Sequence, residues 1–310
     1  MEQIKYGRKR KGIKKELNKK IEDWLNSIDD KEVQDLARKN TIVTGGSIAS
    51  MLLGEPVNDF DIYFRDIKTA KAIAEYYVNQ FKVNNPDLLL DIKVLEEDRE
   101  NIRGAMERRV VVFVKSDGIA EDKLEQESRK AEEEPEIFET ITPSMVKETR
   151  ETLDQKYRPV FLSENAITLT NKIQLIIRFY GEPDQIHNNY DFVHATCYWD
   201  HHKQHLELPS DALEALLSRT LTYKGSLYPI ASIFRAKKFI ERGWRITAGE
   251  LLKIMWQISE LNLKDMNTLR DQLTGVDMVY MYNLLTALKS TDKDKLNSTY
   301  VAEIIDKIFE

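Results

Sequence analysis

Two kinds of residue that suit a bound nucleotide lie close together in TGGSIASMLLGEPVNDFDIYF, from Thr44 to Phe64. Asp59 and Asp61 are one residue apart in a run that alternates polar and apolar side chains. This alternation predicts a strand with both carboxylates on one face. Two such carboxylates repel each other unless a cation lies between them, and Mg²⁺ or Mn²⁺ prefers oxygen ligands of this kind. The pair therefore predicts a divalent-metal site, whereas a solvent-facing strand is the alternative.

The glycine pair before the acids predicts an anion-binding turn. Gly45 and Gly46 end a β-branched run and precede a short apolar helix, for which Ser47 is the expected N-cap and Gly54 the stop. Backbone N–H groups at a helix start bind phosphate, and glycine lets the phosphate approach without a Cβ in the way. An ordinary strand-to-helix turn is the alternative. With the acids nearby, we expect Gly45, Gly46 and Ser47 to bind the phosphates of an NTP.

The whole stretch resembles the signature of the DNA polymerase β-like nucleotidyltransferase superfamily, which has glycines and a serine, a short helix, and Asp-x-Asp on a strand. The form GG…LLGEPVNDFDI is especially similar to tRNA CCA-adding enzymes. Those enzymes carry an Arg-Asp pair where this chain has Ala49 and Ser50. Those enzymes also have a later Arg-Arg-Asp segment. The corresponding stretch of this chain, RRVVVFV, has the two arginines, Arg108 and Arg109, but not the aspartate.

The resemblance implies a metal-dependent enzyme that transfers NMP from an NTP to a hydroxyl acceptor. The acceptor could be the 3′ end of RNA or tRNA, a protein, or a small molecule. A different class of function also stays open. A catalytically inactive relative could keep the fold as a binding or structural protein of a virus particle or of a toxin–antitoxin pair.

The superfamily also implies a third carboxylate on a neighbouring strand, for which the chain offers two candidates. Asp91 lies in LLLDIKV, and Asp191 lies in NNYDFVHATCYWD. The stretch from NAIT to NNYDF resembles uncharacterised viral and phage-type relatives, which places Asp191 first. In that role Asp191 is a metal ligand and a catalytic residue that helps to activate the acceptor hydroxyl.

Basic residues at two places predict contacts with phosphate. Arg235 and Lys238 are three residues apart in a helical pattern and share one face. We expect them to bind nucleotide phosphates, with a solvated helix face as the alternative. Nine Lys or Arg and one acid, Glu16, lie between Lys5 and Lys20. This segment predicts a basic arm followed by a helix at about 12–28, which either only docks on the fold or also binds RNA or DNA.

The order of the patterns predicts the fold class, an α+β protein. Residues 1–40 form the basic arm and N-terminal helix. Residues 41–208, with the order β-α-β-α-β-β at their start and a charged insertion at 117–136, predict a core with a mixed sheet. The resemblance implies that this core is a polymerase β-like nucleotidyltransferase domain. An all-helical domain follows at 209–310, with its helices at Ala212–Leu221, Leu227–Arg242, Thr247–Leu261, Met278–Leu288 and Asp292–Phe309.

Composition limits the setting and the partners. Of 310 residues, 42% are hydrophobic and 32% charged, and no run approaches the roughly 20 apolar residues that a membrane helix needs. The single cysteine, Cys197, excludes an intramolecular disulfide and fits a cytoplasmic protein. The net charge of −6 restricts any nucleic-acid contact to a local patch.

Overall fold

The computed structural model describes residues 7–86, 90–101, 104–116, 156–263, 265–273, 302–303 and 305–307. The predicted insertion at 117–136, the predicted helix Met278–Leu288 and most of Asp292–Phe309 lie outside these residues. The chain divides into two compact units. The first comprises residues 1–101, 105–189 and 194–216, and the second comprises 102–104, 190–193 and 217–310. The C-terminal part of the second unit thus begins at Leu217. The sequence had placed the domain boundary near residue 208.

From Thr41 to Ser116 the first unit follows the predicted order β-α-β-α-β-β, but it also contains an N-terminal helix and a later strand that the sequence did not predict, at Lys31–Asn40 and Pro159–Leu162. It begins with helices α1 (Arg10–Leu25) and α2 (Lys31–Asn40). The next elements are β1 (Thr41–Thr44), α3 (Gly46–Leu53), β2 (Phe60–Phe64), α4 (Ile67–Asn84), β3 (Leu90–Glu100) and β4 (Met106–Ser116). The unit continues with β5 (Pro159–Leu162), β6 (Ala166–Leu169), β7 (Ile173–Tyr180), α5 (Pro183–His187), β8 (Tyr198–Asp200), β9 (His205–Glu207) and α6 (Ser210–Ser218).

Seven of these strands form one mixed sheet in the order β5-β6-β7-β2-β1-β8-β9. Strands β2 and β7 are parallel, and the other neighbours are antiparallel. The predicted mixed sheet is therefore confirmed. Within the described ranges, strands β3 and β4 form a separate two-stranded antiparallel hairpin.

One face of the sheet carries a continuous apolar row. Seven residues in register, one from each strand, are fully buried: Leu162, Ile167, Leu175, Ile62, Val43, Trp199 and Leu206. Burying each such side chain stabilises the fold by roughly 1.5–3 kcal/mol. Helix α1 lies on this face, since Lys14 Nζ is 5.7 Å from the Trp199 ring. Trp24 Nε1 of α1 donates to Tyr77 Oη of α4 at 2.8 Å, which joins the two helices.

The second unit contains helices α7 (Pro229–Glu241), α8 (Ala248–Ser259) and α9 (Met266–Gln272). A parallel pair of two-residue strands, β10 (Thr220–Leu221) and β11 (Arg245–Ile246), accompanies them, so the expectation of helices alone was incomplete. Proline at the first position suits the start of α7, because its missing N–H has no partner there anyway. In the part of the chain that the structure describes, no helix is both long and apolar enough to cross a membrane.

Candidate nucleotide and metal site

On the opposite face of the sheet, the residues that follow or precede the apolar row by one position form a second row. All of its members except Phe161 carry a polar group. We call it the site row: Phe161, Thr168, Gln174, Asp61, Thr44, Tyr198 and Glu207. Successive side chains on a strand point to opposite faces, so the site row faces away from α1 and the apolar row. Asp61 lies in its centre, on strand β2 between β1 and β7.

The glycine turn and the two acids lie at one end of the sheet. Thr44 is the last residue of β1 and pairs with Asp61 in the antiparallel β1–β2 ladder. The chain therefore leaves β1 at Gly45 on the side where Asp59 precedes β2. Strand β2 begins at Phe60, so Asp59 lies just before the strand. The alternation had predicted that Asp59 lies within the strand, and this part of the prediction was wrong. Asp59 is exposed, and Asp61 is partly buried.

The N terminus of α3 differs from the expectation in one respect. Gly45, not Ser47, is the N-cap, with φ 97° and ψ −154°, a conformation that only glycine adopts readily. Ser47 lies in the first turn with 2% of its surface exposed, and its Oγ has no hydrogen-bond partner in the described part of the chain. Gly54 ends the helix in the left-handed conformation, as predicted. A Cβ built on Gly46 would meet no atom within 4 Å, so the space beside this turn is open.

The carboxyl group of Asp61 is held in an unfavourable environment. Burial and, to a smaller extent, the negative charge of Asp59 together raise its pKa to about 7. No Lys or Arg among the described residues is a cause of this shift. Ionised Asp61 therefore costs the folded state free energy that a bound cation would relieve.

The donor set fits a cation that is shared with a nucleotide. Among the described residues, no group of three or more His, Cys, Asp or Glu could hold a metal ion. Two carboxylates with a triphosphate to complete the coordination are, however, the usual arrangement for Mg²⁺. The orphaned Ser47 hydroxyl and the open space at Gly46 lie where such phosphates would bind.

The sequence did not single out two neighbours of Asp61. Thr44 Oγ1 lies 2.8 Å from His187 Nε2 and 3.0 Å from the Cys197 carbonyl, so its hydroxyl is held by the fold. Gln174 lies opposite Asp61 on β7. A single polar residue inside the apolar run IQLII was the available signal for Gln174, but its partner strand could not be known from the sequence.

The other predicted site residues belong to other elements. Asp191 belongs to the second unit, where its Oδ2 accepts a hydrogen bond from Arg235 Nε at 2.5 Å. Lys238 lies on the same helix as Arg235 and is exposed. Asp91 lies in the β3–β4 hairpin and forms an ion pair with Lys93 at 2.5 Å. The structure brings together Asp59, Asp61 and the glycine turn, and it separately pairs Asp191 with Arg235.

Comparisons with known proteins point to viruses. A family model described as Gabija anti-defense 2 family protein matches residues 15–219. Gabija anti-defense 2 of Bacillus phage SPbetaL7 is 21% identical over 89% of this chain and 50% of its own length. Structural protein ORF618 of Acidianus two-tailed virus is 30% identical over 43% of this chain and 21% of its own length. This chain thus spans at most half the length of these relatives.

Among solved structures, the chain is similar to the Thermotoga maritima CCA-adding enzyme complexed with tRNA_CCA. It is 14% identical, with a TM-score of 0.36, over 87% of this chain and 54% of that chain. This similarity is too low to establish a shared fold.

The raised pKa of Asp61 predicts how stability changes with pH. The folded state binds the Asp61 proton more tightly than the unfolded state, so the wild type loses stability as pH rises from about 4 to about 7. Asp61→Asn removes this loss. Without divalent cations, we expect the variant to exceed the wild type by about 1–3 kcal/mol at pH 8. Thermal and urea unfolding at pH 4 and pH 8, in EDTA, measure the difference.

Asp35→Asn is the matched control, because it removes an exposed carboxylate on α2 away from the site. We expect it to leave the pH dependence unchanged. If Asp61→Asn is no more stable than the wild type at pH 8, the carboxyl group of Asp61 is not under the strain described above.

Proposed function

This chain belongs to the Gabija anti-defense 2 family, and we propose that it acts against a Gabija defence as a metal-dependent nucleotidyltransferase. In this proposal, Gly45, Gly46 and Ser47 bind the phosphates of an NTP, and Asp59 and Asp61 hold its Mg²⁺ or Mn²⁺. The family name and the phage relative support the anti-defence role. The motif from Gly45 to Asp61 and its geometry support the chemistry.

One observation carries the chemical proposal, the pairing of Thr44 with Asp61. This register brings Asp59, Asp61 and a helix N terminus that has no side-chain cap among the described residues to one end of the sheet. An anion site and a cation site side by side suit a nucleotide triphosphate with its metal ion. Neither half alone would distinguish this function from an ordinary turn or a solvated strand.

The residues of this chain would act mainly by positioning. N–H groups of the α3 N terminus and the Ser47 hydroxyl would orient the phosphates, while Asp59 and Asp61 would hold a divalent ion. The ion, when bound, stabilises negative charge as the acceptor hydroxyl attacks the α-phosphate and pyrophosphate leaves. Asp191 as the activator of that hydroxyl, and Arg235 and Lys238 as phosphate contacts, are further proposals.

A second candidate function is nucleotide binding without transfer. Gln174, and not a carboxylate, lies opposite Asp61 on the neighbouring strand, the kind of position from which a third carboxylate would act. The viral relative named a structural protein agrees with a non-catalytic role. In this case, the protein would act against the defence by binding a partner or by sequestering a nucleotide.

An RNA acceptor is proposed on the basis of helix α1. Lys11, Lys15 and Lys19 follow one another at every fourth position, are exposed, and form no ion pair within the described residues. We call them the α1 lysine row, and they are about 6 Å apart along the helix axis. Helix α1 lies on the face of the sheet that carries the apolar row, opposite to the face of Asp61. The α1 lysine row would therefore bind the body of an acceptor and not its reacting hydroxyl.

Substitution of Gly46 tests the nucleotide site without removing a charge. Gly46→Ala places a Cβ in the open space beside the turn and meets no protein atom, so the fold should be unaffected. We expect ATP·Mg²⁺ to bind about tenfold more weakly, a loss of about 1.4 kcal/mol. Calorimetric titration measures the affinity.

Gly12→Ala is the matched control, because its added Cβ on α1 also meets nothing within 4 Å. Binding of ATP·Mg²⁺ should be unchanged there. Equal affinities of the wild type and Gly46→Ala would contradict a phosphate site at this turn.

The double variant Asp59→Asn with Asp61→Asn separates the two candidate functions. Two readouts are needed: transfer of label from [α-³²P]ATP with Mg²⁺, and plaque formation by a Gabija-sensitive phage on Gabija-bearing bacteria that express this chain. If transfer is the mechanism, the wild type should show both activities and the variant neither.

Rescue of plaques by a variant that has lost transfer would favour the non-catalytic function. Transfer that continues at the wild-type rate in the double variant would reject the proposed site. Arg108→Gln, an exposed substitution on the hairpin, controls for effects of expression.

Binding of single-stranded RNA should depend on salt through the α1 lysine row. For a single strand, the logarithm of the binding constant falls by about 0.7 per phosphate contact for each logarithmic unit of salt. Changing Lys11, Lys15 and Lys19 to Gln should therefore reduce this slope by about 2. Fluorescence anisotropy with a labelled RNA at several salt concentrations gives the slope.

The control changes three other exposed lysines of the same unit, Lys39, Lys68 and Lys82, to Gln. It alters net charge equally and should leave the slope nearly unchanged. The same loss in both triple variants would mean that net charge, and not the row, governs binding.

A further inference from the structure

Three polar side chains at the centre of the site row lack protein partners. Asp61, Gln174 and Thr168 come from adjacent strands and share one register position. None of the three makes a side-chain hydrogen bond within the part of the chain that the structure describes. The apolar row on the opposite face is fully buried, whereas Asp61, Gln174 and Thr168 are each partly exposed.

Gln174 has a defined relation to Asp61. The strands β2 and β7 are parallel, and Asp61 and Gln174 are direct partners in their register. Partners in register point to the same face, and neighbouring strands are about 4.8 Å apart. The amide oxygen of Gln174 can therefore reach a cation that Asp61 holds. Gln174 is partly exposed, whereas its neighbours Ile173 and Leu175 point to the opposite, buried face.

We propose that Gln174 is a neutral third ligand of the cation–nucleotide site, which consequently binds one divalent ion per chain. The proposal rests on the nucleotide site proposed above, but not on nucleotidyl transfer. An amide carbonyl is an oxygen ligand for Mg²⁺ or Mn²⁺ that adds no charge. With Asp59 and Asp61, the protein then supplies two negative charges, which balance one divalent cation.

The neutral ligand has a consequence for the number of ions. Two-metal sites hold ions roughly 3.5–4 Å apart, where two divalent charges repel strongly. A third carboxylate would reduce that repulsion, and Gln174 does not. The site thus favours one ion that anchors the triphosphate over a pair of ions that clamps both reacting oxygens.

Titration with Mn²⁺ tests the proposal without any measurement of activity. The chain is saturated with an ATP analogue that has a methylene between the α and β phosphorus atoms, and free Mn²⁺ is followed by electron paramagnetic resonance. We expect one Mn²⁺ per wild-type chain. Gln174→Leu, which changes no charge, should weaken Mn²⁺ binding about tenfold. Gln174→Glu should strengthen it about tenfold or admit a second ion, since it adds a negative charge close to the cation.

Gln204→Glu is the control for added charge, because Gln204 is exposed in the β8–β9 turn of the same unit. It should bind Mn²⁺ as the wild type does. Circular dichroism and the unfolding temperature establish that each variant is folded.

The outcomes separate this proposal from the one on which it rests. Two Mn²⁺ ions in the wild type, or wild-type affinity in both Gln174 variants, would overturn the role of Gln174 and leave the nucleotide site in place. A wild-type chain that binds neither Mn²⁺ nor the analogue at millimolar concentration would overturn both.

Discussion

Alternation of side chains across a seven-stranded sheet is the constraint on which the candidate site depends. One register row consists entirely of buried apolar residues, and the adjacent row on the opposite face contains Thr44, Asp61, Gln174 and Thr168. A shift of one residue in β2 would exchange the two faces and bury Asp61 under α1. Packing of the apolar row therefore fixes both the position and the direction of the acidic side chain.

This arrangement lets the fold tolerate an unfavourable group. Burial and Asp59 both oppose ionisation of Asp61, and no cation among the described residues offsets them. The seven buried side chains of the opposite row stabilise the sheet by considerably more than one strained carboxylate destabilises it. The Gly45 backbone, with its positive φ, and the orphaned Ser47 hydroxyl are local costs of the same kind. Strained backbone angles and carboxyl groups with a shifted pKa cluster at functional sites, where a bound ligand can offset their cost.

Local features of the site could be predicted from the sequence, and long-range ones could not. The glycine turn, the stop at Gly54 and the strand that carries Asp61 follow from short patterns. The N-cap at Gly45 was missed because the capping preference of serine is strong, whereas a backbone angle cannot be read from residue type. The partner of β2 was missed for another reason. Strand β7 joins it only after the β3–β4 hairpin and residues 117–155 have intervened, and no local pattern encodes such a pairing. This is also why the third carboxylate could only be narrowed to Asp91 and Asp191.

The most direct measurement is a crystal structure with Mn²⁺ and an ATP analogue that cannot be cleaved. We expect anomalous density for Mn²⁺ at about 2.1 Å from carboxylate oxygens of Asp59 and Asp61. The β- and γ-phosphates should contact the N–H groups that follow Gly45 and the hydroxyl of Ser47. A triphosphate bound away from this turn, or Mn²⁺ bound away from both acids, would contradict the central claim.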